Sequence, residues 1–250
     1  MTSLRSRIRD TGPGDAMLMG TFLTIPAPAA VEIVCASGPD FVCVDMEHGA
    51  LGAETLENML RAADLARVPA LVRVPSSAPE PIGLALDCGA AGVLVPRIAS
   101  GAEAKAVVDA ARYPPEGRRG AGPGRATGYG RHIWRNIDRM RQDTVVALQI
   151  ETCEALDNLD DILSVPGVDL IFIGPGDLGF SLAASPHAQS LDEAIAFILD
   201  KTHAAGQRTG VFTMTADDAS GYRGRTSLSI CGSDAAILAT GFDAVFATVP

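Results

Sequence analysis

The sequence contains no run of about 18 apolar residues, the length a membrane-spanning helix needs. Its first segment, MTSLRSRIRDTGPGDA, has neither the apolar stretch nor the small-residue cleavage site of a secretory leader, so a cytoplasmic protein independent of membranes is expected. A basic excess is absent too. The 30 acidic residues outnumber the 20 basic ones, and a net charge of −10 repels phosphate backbones and anionic lipid over long range, so neither nucleic acid nor membrane is expected as a partner. A small anionic substrate is still compatible, because local cations or a bound metal can reverse the sign inside a cleft. The five cysteines (Cys35, Cys43, Cys88, Cys153, Cys231) never fall in a CxxC spacing, which argues against a disulfide framework or a zinc knuckle and for buried thiols.

The chain does have length and apolar content. At 250 residues with 47% hydrophobic residues and no low-complexity tract it suits one domain, residues 1–250. Eight short apolar runs have strand character: 17–23, 41–47, 70–75, 92–98, 145–151, 170–175, 208–213 and 244–249. Stretches with helical spacing lie between them, such as 54–66, 102–113, 154–164 and 191–206, with acids early and bases late. Strands that alternate with helices and read apolar on both faces imply a parallel sheet covered on each side. Eight units favour a closed (β/α)8 TIM barrel. An open Rossmann-type sheet would carry GxGxxG after its first strand, and TFLTIPAPAA has none. Two features depart from the rhythm. Residues 114–134 form a long Gly- and Arg-rich loop, and only Pro250 follows the run at 244–249, too little to build the helix that ordinarily ends a barrel, so that helix is expected to be missing.

Catalytic groups of such barrels stand at the C-terminal ends of strands. Those ends hold Asp45, Glu47 and His48 after the second run, Arg73 in the third, Arg97 in the fourth, Gln149 and Glu151 in the fifth and Asp177 just after the sixth. Gln149 and Glu151, two apart on one strand, share a face. Carboxylates from neighbouring strands, Glu151 and Asp177, suit a hard divalent ion such as Mg²⁺, which takes one or two protein carboxylates and leaves other positions to water and substrate. Helix capping accounts for the same two residues equally well on spacing alone. Arg73 fits either a substrate carboxylate or an ion pair with a rim acid such as Asp45. His48 is the histidine at a strand end, where a neutral imidazole serves as a general base; His132, His187 and His203 read as surface or loop residues.

VDMEHG (44–49), VRVP (72–75), LDCGAAGVLVPRI (86–98), RRG (118–120), QIET (149–152) and FIGPGDLG (172–179) together resemble the signature segments of the HpcH/HpaI aldolases, the metal-dependent class II pyruvate aldolases. The resemblance implies a (β/α)8 barrel in a homo-oligomer, from dimer to hexamer, that uses Mg²⁺, Mn²⁺ or Co²⁺ and joins a 2-oxo acid to an aldehyde. It further implies Glu151 and Asp177 as metal ligands, Gln149 and the backbone around Gly176 as contacts to the 2-oxo acid, His48 as acid/base group, Arg73 as stabiliser of the enolate and Asp87 as the group that raises the histidine's basicity. Asp45 and Glu47 become supporting rim carboxylates. Asp87 sits late in a helix that runs away from the mouth, so it reaches the site from a neighbouring subunit or is structural. Where the family reads GPADLS this chain has GPGDLG, with Gly176 and Gly179 giving more room and fewer hydroxyls. No strand end carries a Schiff-base lysine, in keeping with metal-stabilised enolate chemistry. The expected activity is carbon–carbon lysis or condensation next to pyruvate. The alternative is decarboxylation of oxaloacetate or a related acid with capture of the enolate, and a third reading is a degenerate barrel kept for binding.

Overall fold

In the computed structural model, which describes residues 2–12 and 14–247, each apolar run up to residue 213 supplies one strand. They are β1 (Leu18–Leu23), β2 (Val42–Asp45), β3 (Ala70–Arg73), β4 (Gly92–Val95), β5 (Val145–Ile150), β6 (Leu170–Ile173) and β7 (Thr209–Thr213), and β8 (Leu228–Ser233) completes the set. All pairings between neighbours are parallel and β8 returns to pair with β1, so the sheet closes into a barrel. Alternation along the strands explains why both faces are apolar. Phe22, Leu71, Leu94, Ala147, Phe172 and Ile230 fill the interior, while Leu23, Val72, Val93, Leu148, Ile171 and Val211 pack outward against the helices.

The helices start where the sequence offers a cap or a proline. Pro28, Pro79 and Pro175 occupy first-turn positions, where the missing N–H costs nothing. Ser190 and Glu193 form a capping box ahead of the helix Leu191–Ala204. At the lower end of the barrel the N-terminal helix Leu4–Asp10 sends Arg5 inward to Asp169 (2.7 Å), which also accepts from Arg112 (2.6 Å) and the Val146 amide (3.0 Å). This buried cluster closes the floor opposite the functional end.

Two expectations are corrected. The eighth strand is Leu228–Ser233, not 244–249: residues 244–246 belong to a helix, Asp234–Phe246, and residues 248 and 249 lie outside the described residues. The apolar run there continues a helical pattern that begins where the Ser233 hydroxyl accepts from the Ala236 amide (3.2 Å). The true strand, LSICGS, is poor in branched apolar residues and is specified by its register against β1 and β7. The terminal helix is therefore present. It buries little of itself: of the residues it comprises Asp234 is buried, whereas Ile237, Leu238, Phe242 and Phe246 are exposed, the last two with rings stacked 6.0 Å apart.

The stretch 114–134 is held down by its own arginines. Arg119 pairs with Asp87 (2.6 Å), and Arg125 pairs with Asp64 and donates to the Cys88 carbonyl (2.9 Å). A turn at Arg125–Thr127 and the unexpected helix Ile133–Asp143 give it order.

Candidate active site at the barrel mouth

At the end of β2 the chain turns through Met46, Glu47 and His48, and Asp45 organises that turn. Its Oδ1 accepts from the amides of Glu47 (3.0 Å) and His48 (3.4 Å), and its carboxylate takes two hydrogen bonds from the adjacent strand, Arg73 Nε to Oδ1 (2.9 Å) and Arg73 Nη2 to Oδ2 (2.6 Å). Arg73 Nη1 also lies 3.4 Å from Glu47 Oε2, and the guanidinium stacks 4.1 Å over the Phe22 ring. Burial works to lower the Arg73 pKa, but the hydrogen bonds and charge of Asp45 outweigh it and the net direction is upward. Burial pushes the Glu47 carboxyl up, against the pull of Arg73 and His48. His48 projects beyond this pair, its side chain 59% exposed and its Nε2 3.9 Å from Glu47 Oε2. Of the two readings for Arg73, the ion pair with Asp45 is the contact formed.

Across the mouth, β5 presents Gln149 and Glu151 on one face. Gln149 Nε2 donates to Glu151 Oε2, and the Arg97 amide donates to Glu151 Oε1 (2.8 Å) from a left-handed backbone position (φ 57°). Both side chains are buried. Desolvation raises the Glu151 pKa to about 7 despite these hydrogen bonds, helped by the charges of Glu47 and Asp177. A Cβ on Gly174, at the end of β6, would lie 2.8 Å from both Gln149 Nε2 and Glu151 Oε2, so a larger residue here would displace the ends of both side chains. Asp177 follows in the first turn of the helix Pro175–Ala183, exposed to the cavity.

Asp45, His48, Arg73, Gln149, Glu151 and Asp177 line one cavity of about 300 Å³ at the mouth. The residues fit a hard cation. The buried Gln149 Oε1 has no hydrogen-bond partner, and it sits beside a carboxylate whose ionised form lacks a compensating charge. Among the described residues no three His, Cys, Asp or Glu side chains gather into a ready cage. Two carboxylates with water and substrate oxygens would therefore have to complete an oxygen shell, the preference of Mg²⁺ rather than zinc.

Asp87 is not at this mouth. It lies at the end of the helix Pro79–Asp87 in a separate cavity with Arg118 and Arg119, held by the Arg119 guanidinium. Residues 114–134 do not line the mouth cavity either. What the sequence reading missed is an aromatic wall, Phe22, Phe172 and Phe212, and Asp234, whose carboxylate accepts from Thr24 N (2.8 Å), Thr24 Oγ1 (2.8 Å) and Ile25 N (3.1 Å). The phenylalanines were visible as inward-facing strand positions. Asp234 could have been found from the S-D pair after LSICG, once that run was taken as a strand.

A closed parallel barrel with acids, an arginine and a histidine gathered at the C-terminal ends of its strands has the layout of a (β/α)8 enzyme. Residues 18–241 match the HpcH/HpaI aldolase/citrate lyase family, and the chain belongs to it; it is an enzyme of the carbon–carbon lyase type. It is 36% identical to a hydroxypyruvate/pyruvate aldolase of Paraburkholderia phytofirmans over 88% of this chain and 86% of that protein. It is 40% identical to a 2-dehydro-3,6-dideoxy-6-sulfogluconate aldolase of Pseudomonas putida, there over 64% of this chain and 63%, less than two thirds, of that protein. The crystal structure of an HpcH/HpaI aldolase/citrate lyase family protein from Burkholderia cenocepacia superimposes with a TM-score of 0.88 at 30% identity, covering 99% of both chains.

Proposed function

We propose that the protein is a divalent-metal-dependent aldolase that makes or breaks a carbon–carbon bond next to pyruvate. The observation that carries this reading is the unpartnered Gln149 Oε1 beside Glu151, with Asp177, Arg73 and His48 on the same cavity. Glu151 and Asp177 would hold the ion, Mg²⁺, Mn²⁺ or Co²⁺, in keeping with the divalent-metal dependence general to the family. When bound, the ion supplies Lewis acidity toward the oxygens of a 2-oxo acid.

The chain's own groups do the rest. The amides of Gly176 and Asp177, free at the N-terminus of the helix Pro175–Ala183, receive the substrate carboxylate, as the helix dipole favours. Arg73, kept rigid by Asp45, places its positive charge where the keto oxygen becomes negative. His48 takes a proton from the pyruvate methyl, the enolate carbon bonds to the aldehyde carbon, and the imidazolium returns the proton to the new alkoxide. Cleavage runs the same steps backwards. Within one chain Asp87 is committed to Arg119, so in this reading it supports His48 only from a second copy. The exposed apolar side chains of the terminal helix support a homo-oligomer. Five unpaired cysteines support a cytoplasmic setting, and no helix among the described residues is long and apolar enough to cross a membrane.

The test is exchange of the pyruvate methyl protons for deuterium, followed by NMR with Mg²⁺ or Mn²⁺ and again with EDTA. Metal-dependent exchange is expected; its absence under both metals overturns the reading. Release of CO2 from oxaloacetate without condensation of any aldehyde would favour the decarboxylase alternative.

A further inference from the structure

The mouth leaves an acceptor little to bind through charge or hydrogen bonds. Arg73 is the sole guanidinium or ammonium group among the described residues that line the cavity, and its N–H groups already serve Asp45 and Glu47. Three carboxylates, Asp45, Glu151 and Asp177, share the lining with it. The hydroxyls at the rim are partly engaged. Thr24 Oγ1 donates to Asp234 Oδ1 (2.8 Å), and Ser233 Oγ accepts from the Ala236 amide as a helix cap (3.2 Å). Beside them Phe212 is partly exposed, its ring centroid 5.8 Å from that of Phe22, which is buried beneath Arg73, and Phe172 is buried below.

From this balance we infer that the second substrate is an aldehyde with an uncharged hydrocarbon chain, not one that carries a carboxylate, a phosphate or several hydroxyls. The inference rests on the aldolase reading and deepens it. With Asp45 paired to Arg73, and Glu151 and Asp177 assigned to the metal that serves the 2-oxo acid, a negative chain end would meet no unspent cation, and an anion desolvated without a partner is strongly disfavoured. Hydroxyl groups would lose water and find the hydrogen of Thr24 committed to Asp234, with the Ser233 hydroxyl left as the rim's hydroxyl donor. A hydrocarbon chain gains from contact with the accessible part of Phe212. The reaction needs no co-reactant. One C–C bond forms as the aldehyde π bond opens, and the proton lost from the pyruvate methyl is matched by the one gained at the alkoxide oxygen.

The experiment measures methyl exchange of pyruvate first and then kcat/KM for condensation, with Mn²⁺, of three four-carbon aldehydes: butanal, succinic semialdehyde and erythrose. Exchange together with a kcat/KM for butanal at least about tenfold above both others is the expected result. Equal or better use of succinic semialdehyde or erythrose overturns the inference, and so does exchange without condensation of butanal. Absence of exchange would instead overturn the aldolase reading beneath it.

Discussion

Arg73 and Asp45, on neighbouring strands and in direct register, face each other fork to fork with hydrogen bonds of 2.9 and 2.6 Å. Both are buried, and the same Asp45 oxygen that accepts from Arg73 Nε also holds the amides of Glu47 and His48. One carboxylate thus sets both the cation and the loop that bears the imidazole. Its removal leaves a buried guanidinium with Glu47 alone. Asp45→Ala is expected to destabilise the fold by about 3–5 kcal/mol, read from the shift of the urea midpoint, and Arg73→Lys, which loses the planar fork, to slow methyl exchange more than it lowers stability.

His48 carries little structural burden, since its side chain is largely exposed. His48→Ala is expected to fold with an unchanged urea midpoint and to reduce metal-dependent methyl exchange by roughly 10²–10⁴-fold, the range for loss of a general base. Exchange at the parent rate would remove His48 from the mechanism.

Metal binding can be followed without turnover, by calorimetry with Mn²⁺. Glu151→Gln and Asp177→Asn should each weaken it by more than the ~10–100-fold that loss of a supporting residue costs. Parent affinity in either variant would mean that the ligand is another group.

Two glycines at the start of the helix Pro175–Ala183, its cap Gly174 and Gly176 in its first turn, make opposite predictions. Gly174→Ala drives a Cβ to 2.8 Å from Glu151 Oε2 and Gln149 Nε2, and should lose Mn²⁺ binding through their displacement. At Gly176 a Cβ meets nothing within 4 Å, so Gly176→Ala should bind Mn²⁺ normally and melt within about 0.5 kcal/mol of the parent protein.

Burial raises the Glu151 pKa to about 7 from an ordinary value near 4.5. The folded chain therefore holds this proton more tightly than the unfolded one. Its contribution to stability is complete below about pH 4.5 and is lost as pH rises toward and through 7. With EDTA present, urea midpoints of the parent should fall across this window relative to Glu151→Gln, which carries no such titration. Parallel profiles would show that Glu151 is not desolvated.

Seven of the strands were legible because a buried parallel strand writes an unbroken apolar run, and most of the mouth was legible because polar groups at the ends of such runs stand out against it. β8 escaped: Ser229, Cys231, Gly232 and Ser233 dilute its pattern, and tertiary pairing with β1 supplies what local propensity does not. Missing β8 made the terminal helix look like a strand and hid Asp234. The partner of Arg73 was also beyond spacing, since the substrate and Asp45 compete for one fork and only strand register decides between them. Asp87 was carried by family pattern alone, and its contact with Arg119 depends on how the 114–134 stretch folds back.

Asp234 anchors Thr24 and Ile25 across sequence separations of 210 and 209 residues, at the seam where the first strand meets the last. The consequence is one of timing. Contacts of such span are the slowest to form, and during synthesis the β1 edge waits unpaired until residues 228–234 have cleared the ribosome. The loop after β1, and with it one wall of the catalytic mouth, cannot take its anchored shape before Asp234 is available, so a nascent fragment ending before β8 can hold every proposed metal and proton-transfer residue and still lack the anchor of its acceptor site.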